Sequence, residues 1–164
     1  MSKIYQLLAL FLFVLITSCS TEDISSQNDT NPDISTEINY NSIDLEIIQL
    51  INSHREDLGL SKLNLLDVAS LEAKAHSKYM IDQGQPSHDF FFLRQQNLQV
   101  TVNAIHVSEN VAYGYTTAQT VFNAWLNSDL HKQNLEQSSL SDIGIYSDVD
   151  SSGKRYYTNI FLKR

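Results

Sequence analysis

The sequence predicts an α+β domain on three observations. Two helix-period segments come first, a hairpin of alternating apolar residues closes the chain, and one strand-like segment lies between them. No βαβ rhythm appears, so the pattern implies an antiparallel sheet with helices packed against it.

The first helix should begin near Ser42, a favourable N-cap, and stop at Gly59, a residue suited to the C′ position. Ile43, Ile47, Leu50, Ile51, His54 and Leu58 recur at three- and four-residue steps and form one apolar stripe. Leu60, Leu63, Leu65 and Leu66 lead to Asp67, the expected cap of a second helix that ends before Gly84. This helix carries Ala69, Ala73, Ala75, His76, Tyr79 and Met80, and its small residues permit close approach of a neighbour. Pro86 breaks the chain, and Ser87-His88 follow in the connector. Phe90 to Asn97 predict a short helix whose phenylalanines pack inward. Ala104 to Ala112 read as a strand with an unusually polar centre, Ser108-Glu109-Asn110. Thr116 or Thr117 caps the next helix, which buries Val121, Phe122, Ala124 and Trp125. Ile143, Ile145 and Val149 then alternate, Asp150-Ser151-Ser152-Gly153 turn, and Tyr156 to Leu162 return.

Ahead of this domain, residues 1–18 read as a lipoprotein signal peptide. Lys3 is a small positive n-region, and the apolar run Leu7 to Ile16 is too short for a membrane span. Ile16-Thr17-Ser18-Cys19 resembles a bacterial lipobox, with Cys19 as the lipidated residue. Residues 19–39 are rich in Ser, Asp, Asn, Thr and Glu and read as a disordered tether, leaving residues 40–164 as the domain. A lipid at Cys19 would hold the protein on a leaflet without spanning it. The expected location is the cell envelope at the outer membrane. Ser20-Thr21-Glu22-Asp23 also resembles the surface-export signals of some lipoproteins. Cys19 is the single cysteine of the 164 residues, so the domain has no disulfide and burial alone must stabilise it. A net charge of −8, with basic residues scattered, argues against nucleic acid and anionic lipid as partners.

His88, Glu109 and His131 lie far apart in sequence, each beside a turn or helix end, as in a polar cleft assembled from separate elements. His88 and His131 are candidate ligands for a divalent cation such as zinc, with Glu109 as a third, although no cofactor is required by the pattern. Glu109 is also the candidate general base on a metal-bound water. Its plainer role is to hydrogen-bond backbone amides and hold the Asn110 turn. His54 and His76 read as packing residues, His106 falls outside the site, and Trp125 reads as a core aromatic. Phe90-Phe91-Phe92 read as core, with an apolar groove for lipid as the alternative. Ser87 and Ser128 flank the histidines, yet nothing resembles a nucleophile elbow or a phosphate-cradling glycine loop.

Several stretches then follow one another in a familiar order. Ile51-Asn52, Arg55 and Gly59-Leu60 with Leu63 form the first, and Ala73-Lys74-Ala75-His76-Ser77 with Met80 the second. Ser87-His88, Glu109-Asn110-Val111-Ala112, and Ala124-Trp125-Leu126-Asn127-Ser128 with His131 and Asn134 come next. Ile143-Gly144 and Tyr157-Thr158-Asn159-Ile160-Phe161 close the series. From about Ser42 onward the chain resembles the CAP superfamily of cysteine-rich secretory, antigen 5 and pathogenesis-related proteins, in its short bacterial SCP-domain form. The resemblance implies an α-β-α sandwich with a central three- or four-stranded antiparallel sheet. It also implies a cleft in which His88, Glu109 and His131 take the places of the first histidine, an acidic residue and the second histidine. A second glutamate common in the family falls near Ser128 here, so the cluster is reduced. Ser108 and Leu130 stand where glycines are usual, and would cost energy if either backbone needed φ > 0. The resulting expectation is an envelope-displayed CAP domain that binds a ligand or partner through its cleft, with binding favoured over catalysis. A metal-assisted hydrolase of peptide or cell-wall bonds, with Glu109 as base, and lipid or sterol binding stand as alternatives.

Overall fold

The computed structural model describes residues 38–164. The signal peptide, Cys19 and nearly all of the tether lie outside the described residues. Ile38, assigned above to the tether, is buried. The elements run α1 (Ser42–Asp57), β1 (Asn64–Leu65), α2 (Asp67–Gln83), α3 (Phe91–Val102), β2 (His106–Tyr113), α4 (Ala118–Leu126), α5 (Asp129–Glu136), β3 (Asp142–Val149) and β4 (Arg155–Lys163).

Local chemistry accounts for most boundaries. The α1 cap is Asn41, one residue before the expected Ser42, and its side chain accepts the Asp44 N–H at 2.9 Å. Asp67 is the first residue of α2 rather than its cap, and its carboxylate accepts the Tyr40 hydroxyl at 2.7 Å. Gly84 ends α2 at φ 69°, a conformation that costs a residue without a Cβ little. At α4, Thr117 and Thr120 form a reciprocal capping box. Helix α3 runs five residues beyond the expected Asn97, and only Phe91 of the three phenylalanines packs against the core. Phe90 and Phe92 are 61% and 69% exposed, so the inward-facing triplet is corrected. Phe90 takes φ 59°, an uncommon state for a bulky residue, at the start of α3.

The sheet order is β1-β3-β4-β2. Strands β2, β3 and β4 are antiparallel neighbours, with Asn110 opposite Asn159 and Ile145 opposite Asn159 from the other side. The two-residue β1 pairs parallel with β3, which makes the sheet mixed rather than purely antiparallel. Helices cover both faces. Ile143, Ile145, Tyr157 and Phe161 pack with Ile47 and Ile51 of α1, Val121 and Trp125 of α4, and Leu135 of α5. Val107, Ile160 and Leu162 pack on the opposite face with Ala69 and Ala73 of α2 and Leu98 of α3. Double coverage explains why β3 and β4 are buried on successive residues instead of alternating core and solvent. The small residues of α2 allow very close approach: a Cβ on Gly144 would meet the Ala69 backbone at 2.4 Å. The result is the α-β-α sandwich, with β2 as the edge strand that carries Glu109.

Candidate functional site

Glu109 projects to the α2–α3 face of β2, where its side chain is 1% exposed. Arg94, from α3, holds the carboxylate with two bonds: Nε donates to Oε2 and Nη2 to Oε1, both at 2.8 Å. Arg94 Nη1 also donates to the Asp89 carbonyl at 2.8 Å, which fixes the guanidinium plane. His88, in the connector after α2, sets Nδ1 at 2.8 Å from Glu109 Oε1. Below them, His76 of α2 puts Nε2 at 2.7 Å from the Ser87 carbonyl and 3.9 Å from Glu109 Oε1.

These contacts define protonation. Burial pushes the Glu109 carboxyl upward, but bonds from His88 and Arg94, with the charge of Arg94, more than offset it and hold it below the ordinary value. Glu109 is therefore an ionised acceptor, and His88 Nδ1 must carry the proton of their shared bond. Burial lowers the His76 pKa despite the Glu109 charge, so His76 is neutral and donates Nε2–H to Ser87.

His131 sits in α5, on the other side of the cleft. Its carbonyl accepts Asn110 Nδ2 at 3.0 Å, and Asn134 Nδ2 donates to Asn110 Oδ1 at 2.8 Å and to the Glu109 carbonyl at 3.4 Å. The two asparagines thus pin α5 to β2. Burial first, and then the nearby His88, lower the His131 pKa and keep its imidazole neutral. A cleft of about 460 Å³ opens between the two histidines, lined by Pro86, Ser87 and His88 on one wall and by Ala124, Trp125, Ser128 and His131 on the other. Val111, Ala112 and Tyr113 of β2 line it as well, and Trp125 Nε1 donates to the Val111 carbonyl at 3.2 Å.

The family described as the cysteine-rich secretory protein family, CAP, matches residues 48–161. The chain belongs to the CAP family. Two Bacillus subtilis relatives are similar to it: the uncharacterized protein YkwD, 26% identical over 121 residues, and the uncharacterized membrane protein YlbC, 30% identical over 122. The matches take in 71% and 73% of this chain but only 46% and 34% of those proteins, so the chain spans less than half of either. Among solved structures, an extracellular SCP-domain protein of Bacillus anthracis superposes with a TM-score of 0.66 at 26% identity, over 76% of this chain and 41% of that one. An outer surface protein of Borrelia burgdorferi shares the fold with a TM-score of 0.67 at 24% identity, over 73% of this chain and 91% of that one.

Within this CAP domain, His88 and Glu109 are in direct contact and His131 shares the cleft with His88. Glu109 itself lies behind His88 and does not line the cleft. Ser128 lines it where the family's second carboxylate was expected, leaving a hydroxyl there. Neither Ser108 nor Leu130 has a positive φ, so the substituted glycines cost no backbone strain. The metal-centre expectation does not fit these residues: both Glu109 oxygens are engaged by Arg94, and no group of three His, Cys, Asp or Glu suited to a metal ion occurs among the described residues. Glu109, the candidate base, is a buried carboxylate paired with a guanidinium, an arrangement that makes it a weak proton acceptor.

Arg94 and His76 are functional neighbours that sequence reasoning missed. Arg94 falls on the apolar stripe of α3, three residues after Phe91 and four before Leu98, and is buried there. A lone arginine on a buried stripe implies a buried acid, and that signal was present in the sequence. His76 was placed on the α2 stripe as packing; it packs, and it also buttresses Glu109.

Proposed function

We propose that the chain is a cell-envelope lipoprotein, anchored through Cys19, whose CAP domain binds a ligand in the His88–His131 cleft. One observation carries the reading. The single carboxylate of the cluster is committed to Arg94, while the cleft offers two imidazoles, the Ser128 hydroxyl and an aromatic wall. Such a set, apolar with a few convergent polar groups, suits holding a ligand. The extracellular and outer-surface relatives support the location.

The test exposes the full chain to envelope extract and identifies retained species by native mass spectrometry. Retention should be lost in the His88→Ala/His131→Ala variant; capture of nothing, or equal capture by the variant, overturns the reading. Palmitate labelling that survives Cys19→Ala would overturn the anchor.

A second reading, hydrolysis, gains one observation. The Glu109–His88 bond orients an imidazole as acid–histidine pairs do in acyl-transfer enzymes, which makes His88 the base in place of Glu109. It predicts turnover of peptide or cell-wall substrates that His88→Ala abolishes. Activity unchanged in that variant would discard it.

A further inference from the structure

Strand β2 is an edge strand, and part of its free edge lies in the cleft. Gly114 N–H donates to the Arg155 carbonyl at 2.8 Å, continuing a ladder in which the even-numbered residues of β2 turn their amides toward β4. The odd-numbered residues Val107, Glu109, Val111 and Tyr113 consequently turn theirs outward. Two of those outward carbonyls are met by side chains, Glu109 by Asn134 and Val111 by Trp125. Among the described residues, the N–H groups of Val111 and Tyr113 and the Tyr113 carbonyl have no partner. Both residues line the cleft. Unpaired backbone groups repeating at strand spacing are matched by the backbone of another extended chain.

Resting on the reading of the cleft as a binding site, we infer that its occupant is an extended peptide, about three residues of which add as a strand to the Val111–Tyr113 edge of β2. The cleft volume of about 460 Å³ accommodates such a segment. Side chains of an added strand alternate between the two walls. One faces Pro86, Ser87 and His88, and the next faces Ala124, Trp125 and His131. His88 has Nδ1 committed to Glu109 and leaves Nε2 for the peptide, so the first wall selects a serine or threonine hydroxyl, which can both donate and accept there. The Trp125 wall selects an apolar side chain.

The test uses the full chain in detergent with a library of acetylated, amidated pentapeptides, Ser or Thr at the centre and any residue but Pro elsewhere. Emission of Trp125, the single tryptophan, reports binding. Retained peptides should slow hydrogen exchange of the Val111 and Tyr113 amides and leave Ala112, already turned to β4, unchanged. N-methylation should weaken binding roughly tenfold or more at alternate peptide residues and be tolerated between them. Tyr113→Pro, which an edge strand tolerates where the N–H points outward, should weaken binding to a similar degree at an unchanged urea midpoint. If that variant unfolds, the N-methyl series alone decides. The inference is overturned if no peptide is retained, or if N-methylation at every position is harmless. It is also overturned if the edge proves to pair with a second copy, seen as a dimer that Tyr113→Pro dissociates. In each overturning case, a ligand captured from envelope extract in a His88-dependent manner leaves the binding reading standing; failure of that capture removes both.

Discussion

The two faces of β2 both bury polar side chains, in opposite states of satisfaction. On the α2–α3 face, Glu109 accepts bonds from Arg94 Nε, Arg94 Nη2 and His88 Nδ1. On the α4–α5 face, Asn110 is matched by Asn134 and the His131 carbonyl, but its cross-strand neighbour Asn159 has both side-chain polar atoms buried and unmatched. Ser108 Oγ and His106 Nε2, also on β2, are unmatched too. The difference follows from charge. An uncompensated buried ion costs several kcal/mol, so Glu109 must be fully partnered. An orphaned amide or hydroxyl costs about 1–3 kcal/mol and can recruit an internal water. One face therefore fixes geometry tightly, and the other has slack.

The largest expected effect comes from breaking the tight face. Arg94→Met should leave Glu109 as a lone buried charge and lower stability by about 3–5 kcal/mol in urea unfolding at pH 7, and adding Glu109→Gln should recover much of the loss. A loss under about 1 kcal/mol would mean that Glu109 is not held as an ion.

Acid should break the same face. The folded-state pKa of Glu109 lies below its ordinary 4.5, so its contribution is fully present above that value and disappears as pH falls below it. Asp44 works in the opposite sense. Burial pushes its carboxyl up to about 6 from an ordinary 3.8, so its ionisation opposes folding and stability should rise as pH falls through that window. Measured against Asp44→Asn, which shares the opposing losses at the depressed His76 and His131, unfolding of the wild type should show the rise as pH falls from 7 through about 6. A rise that persists in Asp44→Asn would assign it elsewhere.

On the slack face, Asn134→Ala removes the bonds to Asn110 Oδ1 and the Glu109 carbonyl and should cost about 1–2 kcal/mol. Hydrogen exchange should speed up in α5 and stay unchanged in α3; equal acceleration in both would erase the contrast between faces. The smallest effect is expected from Asn159→Leu, within about 1 kcal/mol of wild type and in the stabilising direction, because it deletes polar atoms that have no partners. A loss of about 3 kcal/mol would show that a buried water bridges them.

The sequence made the sandwich legible wherever a pattern and a boundary signal agreed. Helix α1 had a stripe and Gly59, α2 had small residues and Gly84, and the closing hairpin had alternation with a turn at Asp150. Two elements lacked such agreement. Helix α5 buries only Leu135, so its pattern is nearly all polar, and its anchors are asparagine bonds across the fold. Strand β1 is two residues held by pairing to β3, which no local period announces. The site was half legible for a similar reason. His88, Glu109 and His131 stood beside turns, whereas Arg94 and His76 hid inside helix stripes, where a polar residue is easily taken for packing. Arg94 on the α3 stripe signalled a buried acid, but no local pattern said that the acid would be Glu109, turned to the guanidinium instead of the cleft.

The contact at Gly144 reaches further than the core. Ala69 rests on that glycine, and His76 lies seven residues along the same helix, about two turns away. The depth at which α2 seats on the sheet therefore sets the height of His76 beneath Glu109, and through Glu109 the pitch of the His88 ring. A single hydrogen in place of a methyl group, on a strand with no residue in the cleft, works as a spacer for the whole acid–histidine stack. Altering it would retune the cleft from behind, with every residue that touches the ligand left in place.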